Sequence, residues 1–237
     1  MDLQRLGASE PAVEFINAYL EESGDYGAVP LLDFYRAYRA LVRAKVLAFQ
    51  LSERPELAPA ARALFGLAGR FALPRRPARL LITSGVMGSG KSTVARAVAA
   101  RLGAIVIRTD AVRKRLGGVG IHEPATAGFE EGLYTFDMSR RTYTKALGLA
   151  AEVVGAGWTV IVDGSFSKAA ERAEARRVAH RLGLAHGDIS EGHPRLLPAH
   201  RARYEAPEGE PGVVRVNTYP EPPIERVLEA LRDLPDP

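Results

Sequence analysis

Between Gly85 and Ser92 the chain reads Gly-Val-Met-Gly-Ser-Gly-Lys-Ser, a spacing of glycine, lysine and hydroxyl that suits the phosphates of a nucleotide. Gly85 and Gly90 permit backbone geometry that a Cβ would obstruct, so the N–H groups from Gly88 and Ser89 through Thr93 can curl round an anion. A helix that starts there adds the favourable end of its dipole. Lys91 is then placed for the β- and γ-phosphates, and the Ser92 hydroxyl for Mg²⁺. The bland alternative is a Gly-rich turn with an incidental lysine. The apolar run Leu80-Leu81-Ile82 before it and Thr93-Val94-Ala95-Arg96-Ala97-Val98-Ala99 after it argue for a strand–loop–helix phosphate site of the Walker A type.

Two further groups of residues belong with this loop. One is Arg108-Thr109-Asp110 with Arg113 a helical turn later, and the other is Asp163-Gly164-Ser165. Each follows an apolar run, and in a doubly wound sheet both would open beyond the carboxyl ends of the strands, beside the loop. Phosphoryl transfer asks a protein to position groups and neutralise charge, which needs a lysine, a metal, a carboxylate on the attacking hydroxyl and an arginine on the developing charge. Asp110 is the candidate for that carboxylate, and its competing role is a helix N-cap. Asp163 is the candidate metal group with Ser92, against a structural role in a turn. Arg140 and Arg141 are weaker candidates, because an exposed first helical turn would carry the same residues. His186, His193 and His200 fall seven apart, but Gly187, Gly192, Pro194 and Pro198 break the helix that would align them, so no metal is expected there.

The elements that position these groups are legible in outline. A helix from Ser9, its N-cap, to Gly24 is followed by a longer one over Leu31 to Leu51. There Leu31, Phe34, Tyr35, Tyr38, Leu41, Val42, Val46 and Phe49 recur at three- and four-residue steps. A third helix runs from Pro59 to Leu73, and Pro74-Arg75-Arg76-Pro77 makes a stiff linker that divides a helical segment, 1–77, from a nucleotide domain, 78–237. Beyond it, strands at Leu80–Ile82, Ile105–Ile107 and Trp158–Val162 alternate with helices, the pattern of a parallel sheet with crossovers. Asp137 is the expected cap of the helix through Tyr143 and Leu147, and Ser165 or Ser167 that of the helix reaching Leu182. A last strand falls at Val213–Val216 and a last helix at Pro223–Leu231. Either Leu184 to Ile189 is a poor strand, or the last strand takes its place beside the first. The predicted class is α/β, a P-loop NTPase three-layer fold with a short, mainly parallel sheet after an all-helical segment.

The 237 residues carry a net charge of +4, unevenly spread. Residues 1–33 hold one Arg and seven acids, and residues 34–79 hold ten Lys or Arg and two Glu. That basic stretch pairs with the acidic first helix or is solvated, with nucleic-acid contact the less favoured reading. There is no cysteine, which removes disulfides and thiolate metal sites and fits the cytoplasm. No stretch approaches the roughly 18 uncharged apolar residues of a membrane span, so no membrane is expected as a partner.

Taken together, the loop Gly85–Ser92, the run Arg-Thr-Asp-Ala-Val-Arg-Lys from Arg108 and the run Val-Ile-Val-Asp-Gly-Ser-Phe from Val160 resemble a group of P-loop kinases. The group includes polynucleotide 5′-kinases, zeta toxins and chloramphenicol phosphotransferases. The resemblance implies ATP and Mg²⁺ as cofactors and a hydroxyl of a small molecule or nucleotide as acceptor. It gives Asp110 the role of base, Arg113 a contact to substrate or phosphate, and Asp163 a part in substrate binding. The run Leu-Leu-Asp-Phe-Tyr-Arg-Ala-Tyr-Arg from Leu31 is similar to the last helices of an aminoglycoside-phosphotransferase-like domain that precedes such a P-loop domain in some bacterial proteins. On that likeness the upstream domain's own catalytic loop falls before residue 1. His186-Gly187-Asp188 echoes a tripeptide of that domain in the wrong order, a coincidence. The kinase group also carries lid arginines after its fourth strand, for which Arg195, Arg201 and Arg203 are the available substitutes. A reduced lid implies weak water exclusion, so an ATP-binding module without efficient transfer is the alternative.

Overall fold

The computed structural model describes residues 1–73, 78–123, 132–184, 186–191, 204–218 and 221–233. Five parallel strands form its centre: β1 (Leu80–Ser84), β2 (Ile105–Arg108), β3 (Val160–Asp163), β4 (His186–Glu191) and β5 (Val213–Val216), in the spatial order β2-β3-β1-β4-β5. Strands β1 to β3 are apolar and almost wholly buried, as a sheet covered on both faces requires. Side-chain alternation assigns each face. Leu81, Val106 and Ile161 meet α5 (Lys91–Leu102) and the last helix, while Leu80, Ile82, Ile105, Ile107, Val160 and Val162 meet α7 (Phe136–Gly155) and α8 (Ala169–Arg181). The three layers and the parallel sheet are those expected.

The strand beside β1 is β4, not the last strand, so Leu184 to Ile189 was the segment to follow. The backbone of His186 to Ser190 pairs with Leu80 to Ser84 in parallel register, and β5 lies outside it. The helix caps differ too. Thr135, not Asp137, caps α7, its hydroxyl accepting the Met138 N–H at 3.3 Å. Helix α8 begins after Lys168, later than a Ser165 or Ser167 cap would place it. Glu171 Oε2 accepts the Lys168 N–H at 3.2 Å and Glu205 Oε2 that of Ala169 at 2.6 Å, so carboxylates take over the serines' task.

The early helices are α1 (Asp2–Arg5), α2 (Ser9–Ser23), α3 (Val29–Ala48) and α4 (Ala58–Ala72); α6 (Thr109–Leu116) follows β2, and α9 (Ile224–Arg232) is the last. Ala8 rather than Ser9 occupies the N-cap of α2, and Gly24 stops it in the left-handed conformation at φ +72°. Helix α2 lies along the free edge of β2. Asn17 Nδ2 donates to Ala104 O at 3.0 Å, and Asn17 Oδ1 accepts the Val106 N–H at 2.7 Å, so one side-chain amide stands in for a neighbouring strand. Tyr26 OH adds a bond to Val106 O at 3.3 Å. Leu20, Tyr26 and Val29 accordingly share the core of the sheet. The segment 74–77, where the sequence sets a boundary, lies outside the described residues.

Helix α3 packs through its small side, Ala40 and Ala44, against α4. The apolar row that gives it helical periodicity faces outward, with Phe34, Tyr35, Tyr38 and Phe49 each at least 59 % exposed. In the basic stretch, Arg43 and Arg39 pair with Asp2 of α1 rather than with the acidic helix α2, and Arg36 pairs with Asp33 and stacks on Phe71. Among the described residues no helix is long and apolar enough to cross a membrane.

Candidate active site

Strand β1 ends at Ser84 and the chain turns through Gly85-Val86-Met87-Gly88-Ser89-Gly90 into α5. Gly88 and Gly90 stand at φ +77° and +91°, and Gly85 at +148°, where a side chain would be strained. The loop is held from within. Ser89 Oγ donates to Val86 O at 2.7 Å, Lys91 Nζ lies 2.6 Å from the same carbonyl, and the Thr218 hydroxyl donates to Ser89 O at 2.8 Å. Lys91, Ser92 and Thr93 form the first turn of α5, which opens directly from the loop, and the Thr93 N–H donates to Gly90 O at 2.8 Å.

Asp163 ends β3, the strand next to β1, and is 5 % exposed. Ser92 Oγ donates to its Oδ2 at 2.6 Å and Thr83 Oγ1 to its Oδ1 at 3.0 Å, while Arg108 Nε stands 3.9 Å from Oδ2. A hydroxyl and a carboxylate touching beside the phosphate loop are hard oxygen donors of the type that holds Mg²⁺ next to a triphosphate. The donor set fits a metal, and the turn role is real as well: Thr109 Oγ1 fixes the Asp163 carbonyl at 2.9 Å, and Thr83 Oγ1 accepts the Gly164 N–H at 3.0 Å.

Asp110 and Arg113 both lie on α6, but their surroundings differ. Asp110 is the second residue of the helix, behind an N-cap at Arg108, so the capping alternative does not describe it. Its carboxylate is 44 % exposed and 3.7 Å from Lys114 Nζ. Arg113 is 9 % exposed; its Nη1 donates to Leu133 O at 3.1 Å and to Ser139 Oγ at 3.0 Å, and its guanidinium faces the ring of Tyr134. It lines a cavity of about 560 Å³ that reaches from Gly85, Val86 and Met87 to α7 and α8, which Asp110 does not line.

That cavity exposes residues that sequence reasoning missed. Tyr143 of α7 is buried, with its hydroxyl 3.0 Å from Ser165 Oγ and accepting the Phe166 N–H at 3.1 Å. Burial, and after it the charge of Glu171, pushes its phenol up to about 12. Phe166 takes φ +38° and is held there by this bond and by Arg172 Nη1 on its carbonyl at 2.8 Å. Glu171 of α8 also lines the cavity, and burial raises its pKa against the opposing Lys168 N–H, Lys168 and the arginines. Tyr143 and Glu171 read as ordinary amphipathic-helix residues, and only the turn after Asp163 brings them to the loop. Arg140 lines the cavity in a 2.7 Å ion pair with Asp137, whereas Arg141 is exposed. Arg195, Arg201, Arg203, His193 and His200 lie outside the described residues, as does the side chain of His186. Among the described residues no cluster of His, Asp and Glu could hold a metal by itself.

Comparison with known proteins agrees with this architecture. A family model described as an AAA domain matches residues 80–188. Uncharacterized proteins of Mycobacterium tuberculosis and Mycobacterium bovis are 40 % identical over 180 residues, which is 76 % of this chain and 36 % of theirs. The chain thus spans about a third of the length of the curated relatives it matches. Among solved structures, a sugar kinase from Janibacter is 22 % identical with a TM-score of 0.50, covering 66 % of this chain and 95 % of that one. The Mycobacterium tuberculosis APS kinase in complex with AMPPNP and APS is likewise 22 % identical with a TM-score of 0.50, covering 68 % of this chain and 100 % of that one. A likeness at this identity is one of fold, and the fold is the P-loop kinase-like α/β fold.

Proposed function

We propose that this protein binds ATP with Mg²⁺ and transfers the γ-phosphate to a hydroxyl of a small molecule. The observation that carries the reading is the 2.6 Å contact between Ser92 and the buried Asp163, set directly beside the glycine loop. On this reading the N–H groups of Gly88 to Thr93 and the Lys91 ammonium cradle the phosphates, and Ser92 and Asp163 hold the metal, which supplies charge neutralisation. The acceptor occupies the cavity that begins at Gly85, with Arg113 at its wall. Asp110, in the first turn of α6 but outside the lining of that cavity, is the carboxylate proposed for the acceptor's proton, a role that requires the acceptor's hydroxyl to reach beyond the cavity.

Incubation with γ-labelled ATP and a panel of hydroxyl compounds tests the reading. Transfer that Lys91→Ala removes, and that Asp110→Asn lowers about a hundredfold or more, is the expected result. Unchanged transfer in Asp110→Asn would take the base role away from it. The exposed aromatic row on α3 favours a second reading, a nucleotide-binding module that docks a partner without transfer. It predicts ATP binding and no labelled product with any acceptor.

A further inference from the structure

The cavity beside the loop is lined by a carboxylate, Glu171, that also caps a helix. Glu171 caps the start of α8 through Oε2, which accepts the Lys168 N–H at 3.2 Å. A capping carboxylate needs one oxygen and is at home in water. This one is partly buried among the cavity walls and carries no ion pair within 4.0 Å among the described residues. Its second oxygen is left for whatever enters.

The charges around it define what that is. Glu174 is paired with Arg177 at 2.6 Å, and Arg140 with Asp137 at 2.7 Å, so those four nearly cancel. Arg113 and Lys168 make no ion pair within 4.0 Å among the described residues, and both act on the Glu171 carboxylate at longer range. Their cationic heads instead face rings, Arg113 that of Tyr134 at 5.1 Å and Lys168 that of Phe136 at 4.8 Å. Among the described residues, the cavity thus sets two cations against one hydrogen-bond-accepting carboxylate. A cationic ligand would meet the excess positive charge, and an uncharged one would leave the two cations sharing one carboxylate. About 560 Å³ is ample for a small molecule, and the cavity is bounded by Gly85, Val86 and Met87 of the loop.

Resting on the reading above, we infer that Glu171 is the specificity-determining residue for the acceptor. It accepts hydrogen bonds from hydroxyls of a small anionic polyhydroxy compound, whose negative group faces Arg113 and Lys168. The acceptor class is a polyhydroxy acid rather than a neutral polyol or an amino sugar.

Calorimetric titration in the presence of Mg²⁺ and a non-hydrolysable ATP analogue tests this without needing turnover. The probes are an aldonic acid series (erythronate, ribonate, gluconate), the alditols matching each, and glucosamine. At least one aldonate should bind about tenfold or more tightly than its alditol and than glucosamine, the order expected when a charge-assisted contact is lost or reversed. Glu171→Ala should weaken that aldonate about tenfold, while Glu171→Gln, which keeps an accepting oxygen and the Lys168 cap, should stay within about threefold. The affinity of the ATP analogue should not move in either variant, a split that a merely structural role for Glu171 would not give. The inference is overturned if no aldonate binds, if an alditol or glucosamine binds as tightly, or if Glu171→Ala leaves aldonate affinity unchanged. Failure of the ATP-site reading shows separately, as an analogue titration that Lys91→Ala does not alter.

Discussion

At Asp163 one residue serves two ends. Its side chain gathers the hydroxyls of Ser92 and Thr83, and its carbonyl is gripped by Thr109, so the position of this carboxylate depends on how β3 turns out of the sheet. The next residue, Gly164, has no room for more. A Cβ there would lie 2.9 Å from both Cγ2 and Oγ1 of Thr109 and 3.3 Å from Phe166 Cε2. Thr109 is buried and β-branched, so it cannot step aside without giving up the Asp163 carbonyl. Gly164→Ala should therefore cost about 1–3 kcal/mol in a urea melt, and it should weaken binding of Mg²⁺ and ATP through the displaced carboxylate. Gly148→Ala adds the same methyl to α7, where nothing lies within 4 Å, and should be neutral or stabilising. Equal melts for the two variants would show that the turn gives way freely. Asp163 and Gly164 are visible in the sequence, but the Thr83 and Thr109 that constrain them are not. A threonine at a strand end has no signature until the strands are in order.

The element that most alters the sequence reading is α2, whose Asn17 closes the edge of the sheet. An asparagine in a helix is locally unremarked. Here its amide supplies two of the partners that the β2 edge lacks, at 3.0 and 2.7 Å. Asn17→Ala leaves the Val106 N–H and the Ala104 carbonyl facing an apolar helix and should cost about 1–3 kcal/mol. Amide exchange at Val106 should accelerate while that at Val160, in the middle of the sheet, changes only with global stability. Unaltered exchange at Val106 would mean that water replaces the amide. Strands β1 to β3 were legible because both faces are buried and the residues are branched and apolar. Strand β4 reads His-Gly-Asp-Ile-Ser-Glu and owes its place to backbone pairing with β1, which leaves no hydrophobic pattern to find. The row on α3 misleads in the opposite sense, for its periodicity announces a helix correctly while the packed face is the one made of alanines.

On the scale of the whole chain, the question is whether the early helices and the nucleotide site unfold as one body. The composition break and the proline-rich stretch before Ala78 suggest two. The packing ties them together: Leu20, Tyr26 and Val29 lie in the core with Ile105, Ile107 and α7, and Arg108 pairs with Glu21 just ahead of Asp110. Helix α3 joins that core through Val29 and Leu32 at its start, and its remainder and α4 are attached more lightly, through each other and through the stacking of Arg36 between Phe71 and Trp158. A ligand that binds only the folded site at a hundred times its dissociation constant adds about 2.7 kcal/mol, which for a chain of this size is a rise of about 5–10 °C. If α2 shares the cooperative unit of the sheet, MgATP should shift a single thermal transition by that amount. Exchange protection at Leu20 and Val29 should then rise in step with that at Ile82. On the proposal that Ser92 and Asp163 hold nucleotide through the metal, EDTA should reverse most of the shift. Two transitions, with only one moved by nucleotide and the α2 amides following the other, would place the division between α2 and β2, and the Asn17 amide would then be a contact between units instead of part of one core.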